Sequence, residues 1–283
     1  MFDVDTLFVI SSARGQYALN DLISSIRWAC PSGSTYTVAV DETGDLDTLS
    51  ADGEYKLLSV DVPKEADSGF KRAAGLKWAI DQGISYKQVV MLDDSCLVMG
   101  QPFDAFLSDQ LTKDGVGLLG VRDTVGNHEK AFHQNTTLLY EWQVPNQQQL
   151  EIAPPVLCDA FLALSARFVG ALYQKNLLTP DACERWDGTF GSYLSWLCTM
   201  TGFFMVSWGS ADKSLPPFHV SHGGNQPSPT VLAQRFLVFS SVRDVLGYGE
   251  SDLRELFKRQ RGEPSREVPP FSPVVTGPGL PPA

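Results

Sequence analysis

Two neighbouring carboxylates, Asp93 and Asp94, directly follow residues 88–92 (QVVML), a short apolar run of the kind that forms a buried strand. A strand that ends in two acids delivers them to its carboxyl end, where the ligands of parallel sheets are met. Carboxylates there have two usual tasks: holding a divalent cation against a diphosphate, or hydrogen-bonding a ribose hydroxyl. Adjacent acids after a strand also serve as plain solvated turns. A third carboxylate, Asp41, closes residues 35–40 (TYTVAV), and the polar stretch Ser11, Ser12, Ala13, Arg14 follows residues 6–10 (TLFVI). Arg72 stands near the start of the helical segment that precedes residues 88–92.

The elements that must position these groups follow from hydrophobic period. Residues 6–10, 35–40, 55–60 and 88–92 read as strands. After the first, Leu19, Leu22, Ile23 and Ile26 recur at helical spacing, and Pro31 and Gly33 end that helix. Residues 70–80 form a second helix, with Leu76, Ala79, Ile80 and Gly83 on one side. The order strand, helix, strand, strand, helix, strand predicts an α/β fold with a mostly parallel central sheet and helices on both faces. From Val116 the pattern loosens. Residues 117–121 read as a strand, 123–149 as polar loop, 156–165 as an apolar strand, and 177–186 as a loop into a helix over 190–198. That helix has Phe190, Tyr193, Leu194, Leu197 and Cys198 on its apolar face, and a strand over 203–208 follows. Residues 251–263 read as a terminal helix. The last stretch, 264–283, holds seven of the 18 prolines, with Gly277 and Gly279, and is expected to be disordered or draped on the surface. No internal repeat is visible.

Composition narrows the partners. The chain has 283 residues and a formal charge of −11, which argues against a track for nucleic acid or an anionic membrane. A phosphate-bearing ligand would need a metal ion, backbone amides or a few placed arginines to offset the repulsion. Five widely spaced cysteines without a Cys-x-x-Cys pair point to a reducing compartment. Asp3 and Asp5 precede any apolar run, unlike a secretory signal, so a cytoplasmic location is expected. Residues 188–211 carry no charge but are broken by glycine, serine and threonine, and read as a buried helix and buried strand rather than a membrane span.

In order and spacing, about the first hundred residues resemble the nucleotide-sugar half of a GT-A glycosyltransferase, nearest in style to the large family 2 of inverting enzymes. There the first strand ends in a short polar loop, as Ser11, Ser12, Ala13 and Arg14 do here. The second ends in Val-Asp-Asp-Gly-Ser or similar, where this chain has Val40, Asp41, Glu42, Thr43, Gly44. A helix with Ala-Arg-Asn-x-x-Gly or a close variant is matched by Arg72, Ala73, Ala74, Gly75, and Asp93, Asp94, Ser95 stand at the Asp-x-Asp motif. The resemblance implies that residues 1–115 bind a nucleotide-sugar, a UDP-sugar first among them, and that 116–250 form the acceptor-binding half of the same domain. Asp41 would contact the base, Arg72 support the nucleotide pocket, and Asp93 and Asp94 serve ribose and metal. It also implies Mn²⁺ or Mg²⁺ and a glycan or small-molecule acceptor.

Ser95 departs from the pattern, since a neutral hydroxyl is a poor ligand where the family has its last aspartate. Either Asp94 takes over coordination, or Arg14 and Arg72 do more of the work. The family's acidic residue before a helix that ends in glycine is matched by Asp187, ahead of residues 190–198 and Gly202. Asp187 is thus implied as the base that deprotonates the acceptor, with Glu184 in reserve; the bland use of an aspartate there is as a helix N-cap. His219 and His222, three apart beside Gly223 and Gly224, could complete a metal site or hydrogen-bond a diphosphate, or could lie on a surface turn. Trp142 and Trp186 are either sugar platforms or core, and His128 and His133 face solvent or acceptor. Two rivals stand: a nucleotidyltransferase, although residues 11–17 (SSARGQY) have one glycine and no lysine, and a non-catalytic carbohydrate-binding protein on a degenerate transferase fold. A doubly wound dehydrogenase is excluded, because no Gly-x-Gly-x-x-Gly follows the first strand.

Overall fold

In the computed structural model, which describes residues 3–13, 16–31, 34–41, 55–60, 68–94, 96–98, 101–122, 157–184, 190–208, 218–219, 237–238 and 258, the apolar runs of the first half become four strands. These are β1 (Asp3–Ser11), β2 (Thr35–Asp41), β3 (Tyr55–Ser59) and β4 (Ser85–Asp93), with α1 (Gln16–Ala29) and α2 (Ser68–Asp81) between them. The chain continues through β5 (Leu97–Val98), α3 (Phe103–Leu111), β6 (Val116–Arg122), β7 (Leu157–Ser165), α4 (Ala166–Gln174), α5 (Pro180–Cys183) and α6 (Phe190–Met200). It then forms β8 (Phe204–Trp208), β9 (Phe218–His219) and β10 (Leu237–Val238).

Seven strands share one sheet in the order β3-β2-β1-β4-β7-β6-β8. β1, β2, β3 and β4 run parallel; β7 is antiparallel to both its neighbours, and β8 is parallel to β6. The mostly parallel α/β sheet expected from the alternation is therefore present. Side chains alternate across it. Phe8, Ile10, Val90, Leu92, Phe161 and Ala163 pack beneath α1 and α3. Leu7, Val9, Val89, Met91, Leu162 and Leu164 pack beneath α2, α4 and α6. Helices thus cover both faces, as the near-continuous apolar strands require.

Four differences from the sequence expectation have physical causes. α3 shows only the narrow stripe Phe103, Leu107, Leu111, too thin for periodicity to mark it. α4 starts without a break from the apolar run of β7; its signal was Ser165, whose Oγ accepts the Phe168 N–H at 3.4 Å and caps the helix. β8 is not buried: it is the edge strand, and its Phe204 is 67% exposed. In α2 the buried side is Ala73, Leu76 and Ala79, whereas Gly83 lies past the helix end with φ +69° and is exposed.

β7 also departs from regular pairing. Gly120 faces Leu162 and Arg122 faces Leu157, so two steps along β6 answer five along β7. Such a bulge changes which face a residue meets. Phe161 and Ala163 sit on the α1 side, yet Leu157 packs on the α2 and α6 side.

Candidate functional site

The parallel register brings the expected polar groups to one edge. Ser11 lies between Val40 of β2 and Asp93 of β4, and Asp41 is paired with Ser59 of β3. The backbone continues this alignment past the strand ends: Ser12 N–H donates to the Val40 carbonyl at 2.9 Å, and Asp94 N–H to the Ser11 carbonyl at 3.1 Å. Asp41 and Asp94 are buried, and Asp93 is half-buried at the last position of its strand.

The two adjacent acids have different surroundings. Asp94 Oδ2 accepts Ser12 Oγ–H at 3.1 Å and Ala13 N–H at 2.8 Å, so it braces the turn that leaves β1. Lys71 grips the same turn from α2, its Nζ donating to the Ser12 carbonyl at 2.9 Å. Arg72 is wholly buried; Nη1 donates to the Asp159 carbonyl, while Nε and Nη2 have no hydrogen-bond partner among the described residues. Two buried cations near the start of α2 work against the helix dipole, and α2 has no acid in its first turn to offset them. α2 reaches this position because Gly75 lets it approach the sheet: a Cβ there would lie 2.8 Å from both Val40 Cγ2 and Val9 Cγ1.

Ser11, Ser12, Asp41, Arg72, Asp93 and Asp94 are therefore brought to neighbouring strand ends and the helix that overlies them. Glu184 is the C-cap of α5, exposed, on an element that packs against α2. His219 ends β9, which pairs with β10, which pairs with β5; β5 begins three residues after Asp94. Arg14, Ser95, Asp187 and His222 lie outside the described residues, as do His128, His133, Trp142, Trp186 and residues 264–283. Of residues 251–263, only Lys258 is described.

Two residues that sequence reasoning passed over belong to the same edge. Lys71, next to Arg72, reads in sequence as the solvated neighbour of a functional arginine, yet it is buried. Asp159 interrupts the apolar run of β7; a lone acid in such a run was the available signal. Its Oδ1 accepts the Gly191 N–H in the first turn of α6.

A divalent cation fits this edge in one way. No three His, Cys, Asp or Glu side chains gather to hold a metal among the described residues. Mg²⁺ and Mn²⁺ in nucleotide sites, however, take one or two carboxylates plus substrate phosphates. Asp93 at the strand end suits that role, and Asp94 has only Oδ1 to give to it, because Oδ2 holds the first turn.

No protein-family model matches the chain, and no curated protein matches it. Among solved structures it is similar to a mannosyltransferase from Pyrobaculum calidifontis in complex with GDP-Man and Mn²⁺, at 12% identity and a TM-score of 0.47. That match covers 74% of this chain and 55% of the other, so the chain spans about half the mannosyltransferase's length. It is also similar to mouse xyloside xylosyltransferase 1 in its apo form, at 12% identity and a TM-score of 0.41, over 74% of this chain and 86% of that one. No helix among the described residues is long and apolar enough to cross a membrane.

Proposed function

We propose that the chain is a glycosyltransferase that moves a sugar from a nucleoside-diphosphate donor, UDP-sugars first among them, to an acceptor hydroxyl with inversion. The observation that carries this reading is the convergence in register of Ser11 and Ser12, Asp41, and Asp93 and Asp94 at three neighbouring strand ends, with Lys71 and Arg72 buried beside them. In the reading, Asp41 takes the base and Asp93 the ribose or the cation. Asp94 reaches the cation through Oδ1 while Oδ2 keeps the first turn in shape. Lys71 and Arg72, joined by Arg14, set a positive potential for the diphosphate. A divalent cation held by Asp93, Asp94, His219 and His222 would neutralise the leaving diphosphate. Asp187 accepts the proton of the acceptor hydroxyl, opposite the leaving group. The acceptor is a glycan or small molecule met by residues 116–250. The buried thiols of Cys30 and Cys198 suit the cytoplasmic setting expected of the sequence.

Calorimetry of the full chain with UDP and GDP, each with and without Mn²⁺, tests the donor half of the reading. Binding of one nucleotide, tightened by Mn²⁺ and lost in Asp93→Asn, is the expected result. No heat from either at millimolar concentration overturns it.

A further inference from the structure

Among the described residues the seven-stranded sheet ends in β3 on one side and β8 on the other. A strand at an edge offers a row of unpaired backbone N–H and C=O groups, and proteins blunt such edges with charged side chains or proline. β3 is blunted: Lys56 is exposed on it, and the Arg27 guanidinium lies over its Tyr55 ring at 5.6 Å. β8 (FMVSW) has neither a charge nor a proline. It belongs to residues 188–211, which carry no charge in a chain whose formal charge is −11. Burial accounts for that composition in α6, where residues 190–198 are all buried, but not in β8, where Phe204 is 67% exposed.

The backbone of β8 sets how this edge can be covered. Phe204 N–H donates at 2.7 Å to the carbonyl of Gly115, just before β6, so Phe204 turns its backbone groups inward. Successive residues of a strand alternate in this respect, so Val206 turns to β6 as well, while Met205 and Ser207 turn their N–H and C=O to the open side. The side chains keep the same period: Phe203 and Met205 pack on the α2 face and Val206 on the α1 face. The register shift between Val116 and Leu118 therefore lies in β6 and leaves β8 regular. We infer that this edge pairs with the β8 of a second copy of the chain, antiparallel across a two-fold axis at Val206. Met205 of each chain then faces Ser207 of the other, and each such pair exchanges both N–H···O bonds, while Val206 faces its own copy at the closely spaced position between them. The edge is thus self-complementary in its outward groups. Two chains of charge −11 repel each other, and approach through β8 sets no charged residue of the strand against its copy.

Sedimentation velocity of the full chain from about 1 to 200 μM is expected to show a reversible dimer with roughly micromolar dissociation, as suits a small interface. Ser207→Pro removes an outward N–H that the single chain does not use, a position where edge strands tolerate proline. It is expected to abolish the dimer while the melting temperature of the dilute protein stays within about 4 °C of wild type. Should this variant fail to fold, Phe204→Lys carries the test, since it changes an exposed side chain and supplies the edge charge that β8 lacks; the dimer is expected to weaken by about tenfold or more. Val206→Cys should form a covalent dimer under mild oxidation, because facing residues at that position have Cα atoms about 4.5 Å apart, within disulfide reach. The wild-type chain is the control for its own cysteines. A chain that stays monomeric throughout the range overturns the inference. So does a dimer that keeps its affinity in both Ser207→Pro and Phe204→Lys, or one that Val206→Cys does not cross-link.

Discussion

At the residue scale, neighbouring side chains of one type have been given different work by their surroundings. Asp93 stands half-buried at a strand end, whereas Asp94 is buried and braces Ser12 and Ala13. Lys71 completes that brace. Replacing it in Lys71→Met leaves the Ser12 carbonyl without its buried donor, an expected loss of about 1 to 3 kcal/mol in denaturant unfolding, with weaker nucleotide binding. A lysine free in solvent would show neither effect. Asp187 allows a cleaner separation. A base acts only on the acceptor, so Asp187→Asn should keep nucleotide affinity and lose transfer by about 10² to 10⁴ fold. Asparagine caps helices about as well as aspartate, so wild-type transfer in this variant would reduce Asp187 to a cap and move the base to Glu184.

At the element scale, α2 matters most, because its close approach to the sheet sets the height of Lys71 and Arg72. Gly75→Ala should test that approach. Alanine gains about 1 kcal/mol of helix propensity over glycine, but its methyl would meet two valines that are stiff at χ1, and overpacking costs about 1 to 3 kcal/mol. A net loss of stability is expected, partly restored when Val40→Ala is added. Gly170 in α4 provides the contrast, since nothing lies within 4 Å of a Cβ placed there. Gly170→Ala should stabilise by up to about 1 kcal/mol. Equal effects at the two glycines would show that propensity alone decides both and that α2 has room to spare.

At the scale of the whole molecule, the two packed faces bury groups that ionise only at high pH. Burial pushes the Cys30 and Cys198 thiols and the Tyr86 phenol up to about 12, and raises Tyr193 further. Asp104 adds like-charge repulsion at Cys30. These groups stay protonated in the folded chain while the unfolded chain has lost its protons, so the stability they contribute is complete below the unfolded values and falls as pH rises toward about 12. The melting temperature should therefore drop steadily above about pH 9, where unfolded thiols begin to ionise. A flat profile from pH 8 to pH 11 would mean that the thiols and phenols are solvated.

Much of this was readable in the chain itself, and the reason is local. The strands of the first half and the helices between them are written in hydrophobic period, and the acids and hydroxyls that follow each strand had to reach one edge once the strands ran parallel. Ser11, Asp41 and Asp93 reach neighbouring strand ends for that reason. What the sequence could not decide depends on which surfaces meet. The adjacent acids Asp93 and Asp94 differ only because a serine and an amide of another strand end reach one of them. Lys71 is buried because Gly75 draws α2 down onto Val9 and Val40, contacts far apart in sequence. The antiparallel insertion of β7 and its bulge, which turn Asp159 from a flaw in an apolar run into the link between α2 and α6, follow from pairing partners that no local pattern names.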